Sequence, residues 1–466
     1  MKSMARALGL LVGLWTLTAE ALPGLSLEPF PWMSGAEKSV AAELGRLRVP
    51  IDHRRPASGE WTLAFVRLPA IHPGSGPPIV YLAGGPGGSG IDALDGPLIP
   101  FFQRLREFGD VIALDPRGVG RSQPRLHCRA SWRLPVEQPL SPLAMLTHAR
   151  QGVSECAQRL AGEGVRLEAL TTAANVEDLE VLRRGLGAEA LRLVGFSYGS
   201  QWALEAIRRD PERVTSAVLL GVDEPSGTFS LPHSVDARFD ELVSNHGEDL
   251  PAVARRVKAR LELQPATVEL PGPDGGTPRR IVVGPFDFQL WIIAALSRQE
   301  GVQALPAVLR AMDKGEFNRL AEDAWRRRKG WLGSLVPYLV RCATPLSKDR
   351  RRMIDRQRRH SLLGRAVDFP FPDLCDAVPT EVSESEFGQA DAEIGVPVLL
   401  ISGSLDGRTP PARAVAASRR LSRASLETVV AGHGAELALE SVDLVVDFLR
   451  RTARKSSGES PTCANR

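Results

Sequence analysis

Ser197, Asp406 and His433 have the residue types, and the order along the chain, needed to cut an acyl bond. A serine hydroxyl becomes a useful nucleophile only when a histidine takes its proton, and a carboxylate must hold that histidine in one tautomer. Ser197 is the centre of Gly195-Phe196-Ser197-Tyr198-Gly199. In this G-x-S-x-G spacing the small neighbours let a serine stand at the apex of a sharp turn between a strand and a helix. Leu191 to Val194 reads as that strand and Gln201 to Arg209 as that helix. Asp406 lies in the loop Ser404 to Pro410, just past the apolar run Val396 to Gly403, and His433 sits between two glycines just past Leu426 to Val430. Taken singly, an aspartate after a strand is usually a turn former and a histidine usually a surface or core residue. The ordered set after three strands is what points to catalysis. Asp223 is the rival acid, since it ends the strand-like run that follows the elbow helix. The glycine beside Asp406, and a spacing to His433 that leaves room for one helix and one strand, favour Asp406.

Acyl transfer also needs N–H donors aimed at the oxyanion. The Tyr198 amide, next after the serine, is one candidate. The other lies in Gly84-Gly85-Pro86-Gly87-Gly88-Ser89-Gly90, the loop after the strand Ile79 to Leu82, where Pro86 has no N–H and Gly85 is the natural donor. A phosphate-binding loop would carry G-x-G-x-x-G, or a lysine followed by serine or threonine, and this loop has neither.

The elements that must position these residues fall into three stretches. Strand and helix signals from Leu47 to Asp223 predict a mostly parallel sheet covered by helices, and they resume near Val396. Between them, residues 225–390 carry amphipathic helical patterns and predict a largely helical cap, inserted after the sixth strand above the strand ends. The expected organisation is a signal peptide over 1–21, an α/β core over 22–224 and 391–453, a cap over 225–390 and a frayed tail over 454–466. The signal reading rests on Lys2 and Arg6, the apolar run Ala7 to Leu17, and Ala19-Glu20-Ala21 as an A-x-A cleavage site. That run is shorter than the roughly 20 apolar residues that span a bilayer, so the processed chain is expected to be exported, periplasmic or extracellular, without a membrane partner.

The formal net charge of +3 gives no large basic field. Arg326-Arg327-Arg328-Lys329 and Arg350-Arg351-Arg352 are interspersed with carboxylates and read as solvated helix faces, so no nucleic-acid partner is expected. The five cysteines, none spaced C-x-x-C, point in an exported chain to disulfides and not to a metal site. No metal or organic cofactor is implied.

From about Leu47 onward the chain resembles the α/β-hydrolases of the prolyl iminopeptidase and tripeptidyl aminopeptidase group. The resemblance rests on Val49-Pro50-Ile51-Asp52-His53, the glycine loop 84–90, Asp115-Pro116-Arg117-Gly118-Val119-Gly120-Arg121-Ser122, the serine pentapeptide, Asp406, and Gly432-His433-Gly434. It implies an α/β-hydrolase fold, the triad Ser197, His433 and Asp406, an oxyanion hole of Gly85 and Tyr198, and cleavage of short peptides from a free N-terminus. A carboxylesterase or other small-ester hydrolase is the alternative, because the same triad cuts esters. Ala83 stands where the iminopeptidases carry His, and Leu82-Ala83 where the tripeptidyl branch has Asn-Pro, so the preferred peptide stays open. The resemblance also favours pairing Cys128 with Cys156 and Cys342 with Cys375, which leaves Cys463 over. An exopeptidase must hold the substrate's ammonium with a carboxylate. Glu224, where the chain leaves the sheet for the cap, is the candidate, with Asp236, Asp240 or Glu241 as cap alternatives.

Overall fold

The computed structural model describes residues 24–33, 39–224, 228–244, 246, 249–272, 276–380 and 394–456. The expected signal peptide and Cys463 lie outside these residues. Thirteen strands are described: β1 (Leu25–Met33), β2 (Ser39–Pro50), β3 (Glu60–Leu68), β4 (Ile79–Leu82), β5 (Val111–Asp115), β6 (His127–Arg133), β7 (Leu191–Phe196), β8 (Val214–Leu220), β9 (Ala266–Leu270), β10 (Arg279–Val283), β11 (Lys329–Ser334), β12 (Val398–Gly403) and β13 (Ala424–Val429).

Nine of them form one sheet in the order β1-β2-β3-β5-β4-β7-β8-β12-β13. From β5 to β13 all pairings are parallel, whereas β1, β2 and β3 join the edge in antiparallel fashion. Strands β4, β5, β7 and β12 are near-continuous apolar runs because helices cover both of their faces. Alternate residues divide between two cores. Val80, Leu82, Ile112, Leu193 and Leu400 pack on one face with Trp202 of the helix Tyr198–Arg209, and Ile79, Tyr81, Val111, Val194 and Ile401 pack on the other with Phe102 and Phe448. The chain leaves the sheet after β8, the sixth sheet strand counted from β2, and returns at β12.

The excursion between β8 and β12 is the cap. Among the described residues seven helices, from Pro232–Val243 to Lys348–Gln357, and the hairpin β9–β10 surround a core that includes Phe239, Val257, Ile281, Phe288, Leu305 and Leu363. The cap also receives a strand from the amino-terminal part: β6 pairs antiparallel with β11, nearly 200 positions later in the sequence. Disulfides fasten both of these regions. Cys128 on β6 joins Cys156 on the helix Pro142–Gly162, and Cys342 joins Cys375 within the cap.

The basic runs are only in part the solvated faces expected of them: Arg326, Lys329 and Arg352 are exposed, but the other members of the runs are not. Arg328 is buried and pairs with the buried Asp287, while Arg327 reaches Asp323 at 2.5 Å and Arg350 donates to the Phe229 carbonyl at 2.8 Å. Each cation found a partner within the cap. At the other end, the helix Leu439–Ser456 carries three residues of the expected tail.

A second buried ion pair explains two sequence motifs. Arg117 donates from Nε to Asp178 Oδ2 at 2.6 Å and from Nη2 to Asp178 Oδ1 at 2.7 Å, both residues being almost wholly buried. The same guanidinium holds the carbonyls of Pro50 and Ile51, each at 2.7 Å, and lies over the Trp61 ring. His53 adds a contact to Asp178 at 2.8 Å. The segments around residues 50, 117 and 178 are thereby tied at one point. Removing one partner of a buried pair strands the other charge. Asp178→Asn should cost about 3–5 kcal/mol in urea unfolding, whereas the double change Arg117→Met, Asp178→Leu should cost less than the sum of its single changes. A loss under about 1 kcal/mol for Asp178→Asn would contradict this account of the pair.

Candidate active site

Ser197 stands between β7 and the helix Tyr198–Arg209 with φ 52° and ψ −120°, a left-handed conformation rare outside glycine. Such strain costs of order 1–3 kcal/mol and persists only where surrounding contacts enforce it. The Ser197 amide donates to the Leu220 carbonyl at 2.9 Å. The Ser200 hydroxyl donates to the Ser197 carbonyl at 2.6 Å and accepts from the Asp223 amide at 2.8 Å. Both glycines of the pentapeptide sit where no side chain fits. A Cβ on Gly195 would strike the Gly199 carbonyl, and one on Gly199 would strike the Leu82 carbonyl of β4.

The loop after β4 lies against this turn, since a Cβ on Gly84 would come within 3.1 Å of Ser197 Cβ. Gly85 adopts φ +124°. Tyr198 is the first residue of its helix, where an amide has no partner within the helix. Its side chain is turned away and buried, with Thr172 Oγ1 at 3.1 Å and Asn175 Nδ2 at 3.2 Å from the phenol oxygen. Asp115, at the end of β5, fixes the glycine loop from behind. It accepts from Ser89 Oγ at 2.5 Å, from the Ile91 amide at 3.1 Å and from the Arg121 amide at 2.8 Å. Gly120, at φ +55°, has no Cβ to collide with that carboxylate.

His433 closes the site from the loop after β13. Its Nε2 is 3.0 Å from Ser197 Oγ and its Nδ1 is 3.0 Å from Asp406 Oδ2. Asp406 has no exposed surface, and its Oδ1 accepts the Arg408 and Thr409 amides at 2.8 Å each. Burial alone would raise the Asp406 pKa. The hydrogen bond to His433 and its charge, followed by the Thr409 bonds, outweigh burial and hold the carboxyl below its ordinary value. Thr409, unmarked in the sequence, donates its hydroxyl to Asp406 Oδ2 at 2.7 Å and lies 3.0 Å from His433 Nδ1. With that hydroxyl proton committed to the carboxylate, Nδ1 must carry the imidazole proton. Nε2 is then left to accept from Ser197.

Asp223 is elsewhere engaged: it pairs with Arg413. The cap alternatives are also taken up. Asp236 accepts the Leu362 amide at 2.7 Å, Asp240 pairs with Arg255 at 2.8 Å, and Glu241 pairs with Arg238 at 2.8 Å. Glu224 is half-buried beside the acid end of β8, and its charge acts on Arg350. Arg238, which no motif marks, reaches from the cap helix Pro232–Val243 to the Ser404 carbonyl and to the Asp406 carbonyl at 3.1 Å. Among the described residues no group of three or more His, Cys, Asp or Glu side chains could hold a metal ion. No described helix is long and apolar enough to cross a membrane.

A model of the alpha/beta hydrolase fold family matches residues 77–441. The chain is 31% identical over 218 residues to the serine protease Hip1 of Mycobacterium tuberculosis, covering 44% of this chain and 41% of that protein. It is 30% identical over 215 residues to carboxylesterase B of the same organism, covering 40% of each. Over 196 residues it is 29% identical to a tripeptidyl aminopeptidase of Streptomyces coelicolor, covering 40% of this chain and 36% of the relative. The chain therefore spans about two fifths of the length of these relatives.

If Asp406 orients His433, Asp406→Asn should lower kcat about ten-thousand-fold, by leaving the imidazole in the wrong tautomer. Asp223→Asn should lower it less than about tenfold, because that carboxylate serves an arginine. Steady-state rates on any cleaved ester or amide decide between them, and the reverse order of damage would assign the acid to Asp223.

Glu436 gives a prediction about pH. Burial pushes its carboxyl up to about 8 from an ordinary 4.5, with the Asp406 charge adding to the shift, and its Oε2 has no hydrogen-bond partner among the described residues. A folded-state pKa above the unfolded value gives stability that is complete below the unfolded pKa and lost as pH rises to the folded one. Glu436→Gln should therefore gain in melting temperature over wild type progressively between about pH 4.5 and about pH 8, then hold a constant lead. A pH-independent difference would show that this carboxyl does not titrate as its surroundings require.

Proposed function

Because the chain belongs to the alpha/beta hydrolase fold family, we propose that it is a serine hydrolase acting through an acyl-enzyme. The observation that carries the reading is the continuous hydrogen-bonded line from Ser197 Oγ through His433 to the buried Asp406. Ser197 Oγ attacks the substrate carbonyl carbon as its proton passes to His433 Nε2. Asp406 stabilises the imidazolium, and Thr409 helps hold the carboxylate in place. The amides of Gly85 and Tyr198 receive the negative charge that develops on the carbonyl oxygen. His433 then returns the proton to the leaving group, and a water molecule releases the acid product by the same route in reverse.

The substrate we propose is a short peptide cut from its free N-terminus, with Glu224 holding the ammonium. The protease and aminopeptidase among the relatives support this choice. The carboxylesterase among them supports the alternative of a small-ester substrate, and the triad chemistry serves both. We further propose that the protein is exported, which its two disulfides and the charged and apolar pattern of residues 1–21 favour.

Ser197→Ala should lower kcat about a million-fold and abolish labelling by a fluorophosphonate probe. With the wild-type protein, free-amine tripeptidyl amides should be cleaved and their N-acetylated forms should be poor substrates. Glu224→Gln should raise KM for the free amines while leaving a neutral ester almost unchanged. Equal turnover of acetylated and free peptides, with esters cleaved well, would favour the esterase.

A further inference from the structure

A cavity of about 320 Å3 lies between cap and sheet, on the side of the triad where Asp406 and Thr409 sit. Its floor is made by the ends of two neighbouring strands, with Asp223 after β8 and Gly407, Arg408 and Thr409 after β12. It meets the catalytic line directly through Thr409. Leu290 and Ile293 of the helix Pro285–Leu296, with Phe369 and Phe371, give it an apolar wall that could bury the carbon skeleton of a substrate.

The charges on its lining do not cancel. Asp223 is neutralised by Arg413, Asp368 pairs with Arg341 at 2.9 Å, and Arg327 pairs with Asp323 at 2.5 Å. Arg350, just outside, faces Glu224 and Asp368. Every carboxylate on the lining has its own arginine, and one cation is left over. Among the described residues the Arg408 guanidinium makes no hydrogen bond or ion pair, although its backbone amide is fixed on Asp406 Oδ1 at 2.8 Å. Its side chain remains open to solvent. Crowding by the surrounding protein, together with the Arg341 charge, outweighs the opposing pull of Asp223, Asp368 and Asp406 and draws its pKa below the ordinary arginine value. A guanidinium stays charged under such pressure and presents a planar fork that fits a carboxylate.

We infer that this cavity is a subsite for a substrate carboxylate, which Arg408 receives. The carboxylate comes either from an acidic side chain or from the free C-terminus of a short peptide. This deepens the hydrolase reading above and rests on it. An anion supplied by the substrate would complete the charge balance of the cavity, and a charge-assisted fork is among the stronger polar contacts a site can offer. Neutral isosteres should bind less well because they leave the guanidinium without its partner.

The test compares kcat/KM within three substrate pairs, so that any general loss of activity in a variant cancels in the ratio. One pair is a tripeptide amide with Glu or Gln at the same position. The second is a tetrapeptide ending in a free carboxylate or a carboxamide, followed by chromatography of the products. The third is the 4-nitrophenyl ester of adipate, with its second carboxyl free or methylated, a chain too long for that carboxylate to attack its own ester readily. Wild type should prefer the anionic member about 10- to 100-fold in at least one pair, and the pair that responds identifies the source of the carboxylate. Arg408→Gln should bring that ratio close to one, and Arg408→Lys should keep part of it. The wild-type preference should also shrink as salt is raised from about 0.01 to 1 M. The proposal is overturned by the absence of any preference in all three pairs, by a ratio in Arg408→Gln equal to that of wild type, or by a preference indifferent to salt. If no peptide is cleaved but the ester pair discriminates through Arg408, the peptidase reading falls and the carboxylate subsite stands.

Discussion

The position of Ser197 depends on how closely three pieces of backbone approach one another. Gly199 rests on the Leu82 carbonyl and Gly195 on the Gly199 carbonyl, at separations that exclude any side chain. Only with that approach can the helix Tyr198–Arg209 start immediately beyond β7 and place the glycine loop after β4 beside the serine. The left-handed backbone of Ser197 is the cost, and the bonds from its amide to Leu220 and from Ser200 to its carbonyl offset it. Everything else at the site is arranged around this fixed point. Asp115 holds the glycine loop against it, and His433 reaches it from the loop after the edge strand β13.

The buried charges have a different task from that of the triad. Arg117 with Asp178, and Arg328 with Asp287, each gather carbonyls from segments remote in sequence: Pro50 and Ile51 in the first case, Pro135 and Val282 in the second. Apolar replacements could stabilise such places as well, since desolvation consumes much of the attraction. A guanidinium, however, brings several N–H donors at fixed angles, and so it selects one arrangement of the loops it touches. The Asp-Pro-Arg-Gly motif thereby has a physical explanation that requires no part in the chemistry. Its aspartate and its arginine face opposite neighbours, one the glycine loop and the other the β2 end.

What the sequence revealed follows from which forces leave a local trace. The strands β4, β5 and β12 were legible because burial on both faces demands unbroken apolar runs, and the elbow was legible because close backbone approach demands glycine. Strand β1 was not legible: Pro29 and Pro31 argue against a strand, and they are tolerated because β1 is the edge of the sheet. The pairing of β6 with β11 left no trace either, since nothing local joins stretches so distant in sequence. At the site, Ser197, Asp406 and His433 could be proposed from their order after strands. Thr409 and Arg238 could not, because a threonine in a turn and an arginine on a helix have many ordinary reasons to be there. Arg328 was misread for the same reason, as a basic run looks solvated until a buried aspartate is found opposite it.

The cap and the loop that carries Asp406 are mechanically one unit. Arg238 donates to the Ser404 and Asp406 carbonyls, and the Gly407 amide donates to the carbonyl of Leu296, the last residue of another cap helix. These contacts use the backbone of the loop, so they fix where Asp406 sits while leaving its carboxylate for His433 and Thr409. They also fix where Arg408 emerges, because its amide shares Asp406 Oδ1 with that of Thr409. A displacement of the cap would therefore be felt both at the carboxylate bonded to His433 and at the Arg408 side chain facing the cavity. In this architecture the lining of the cavity and the carboxylate beside His433 are held by the same few hydrogen bonds, so neither can be moved through that loop without the other.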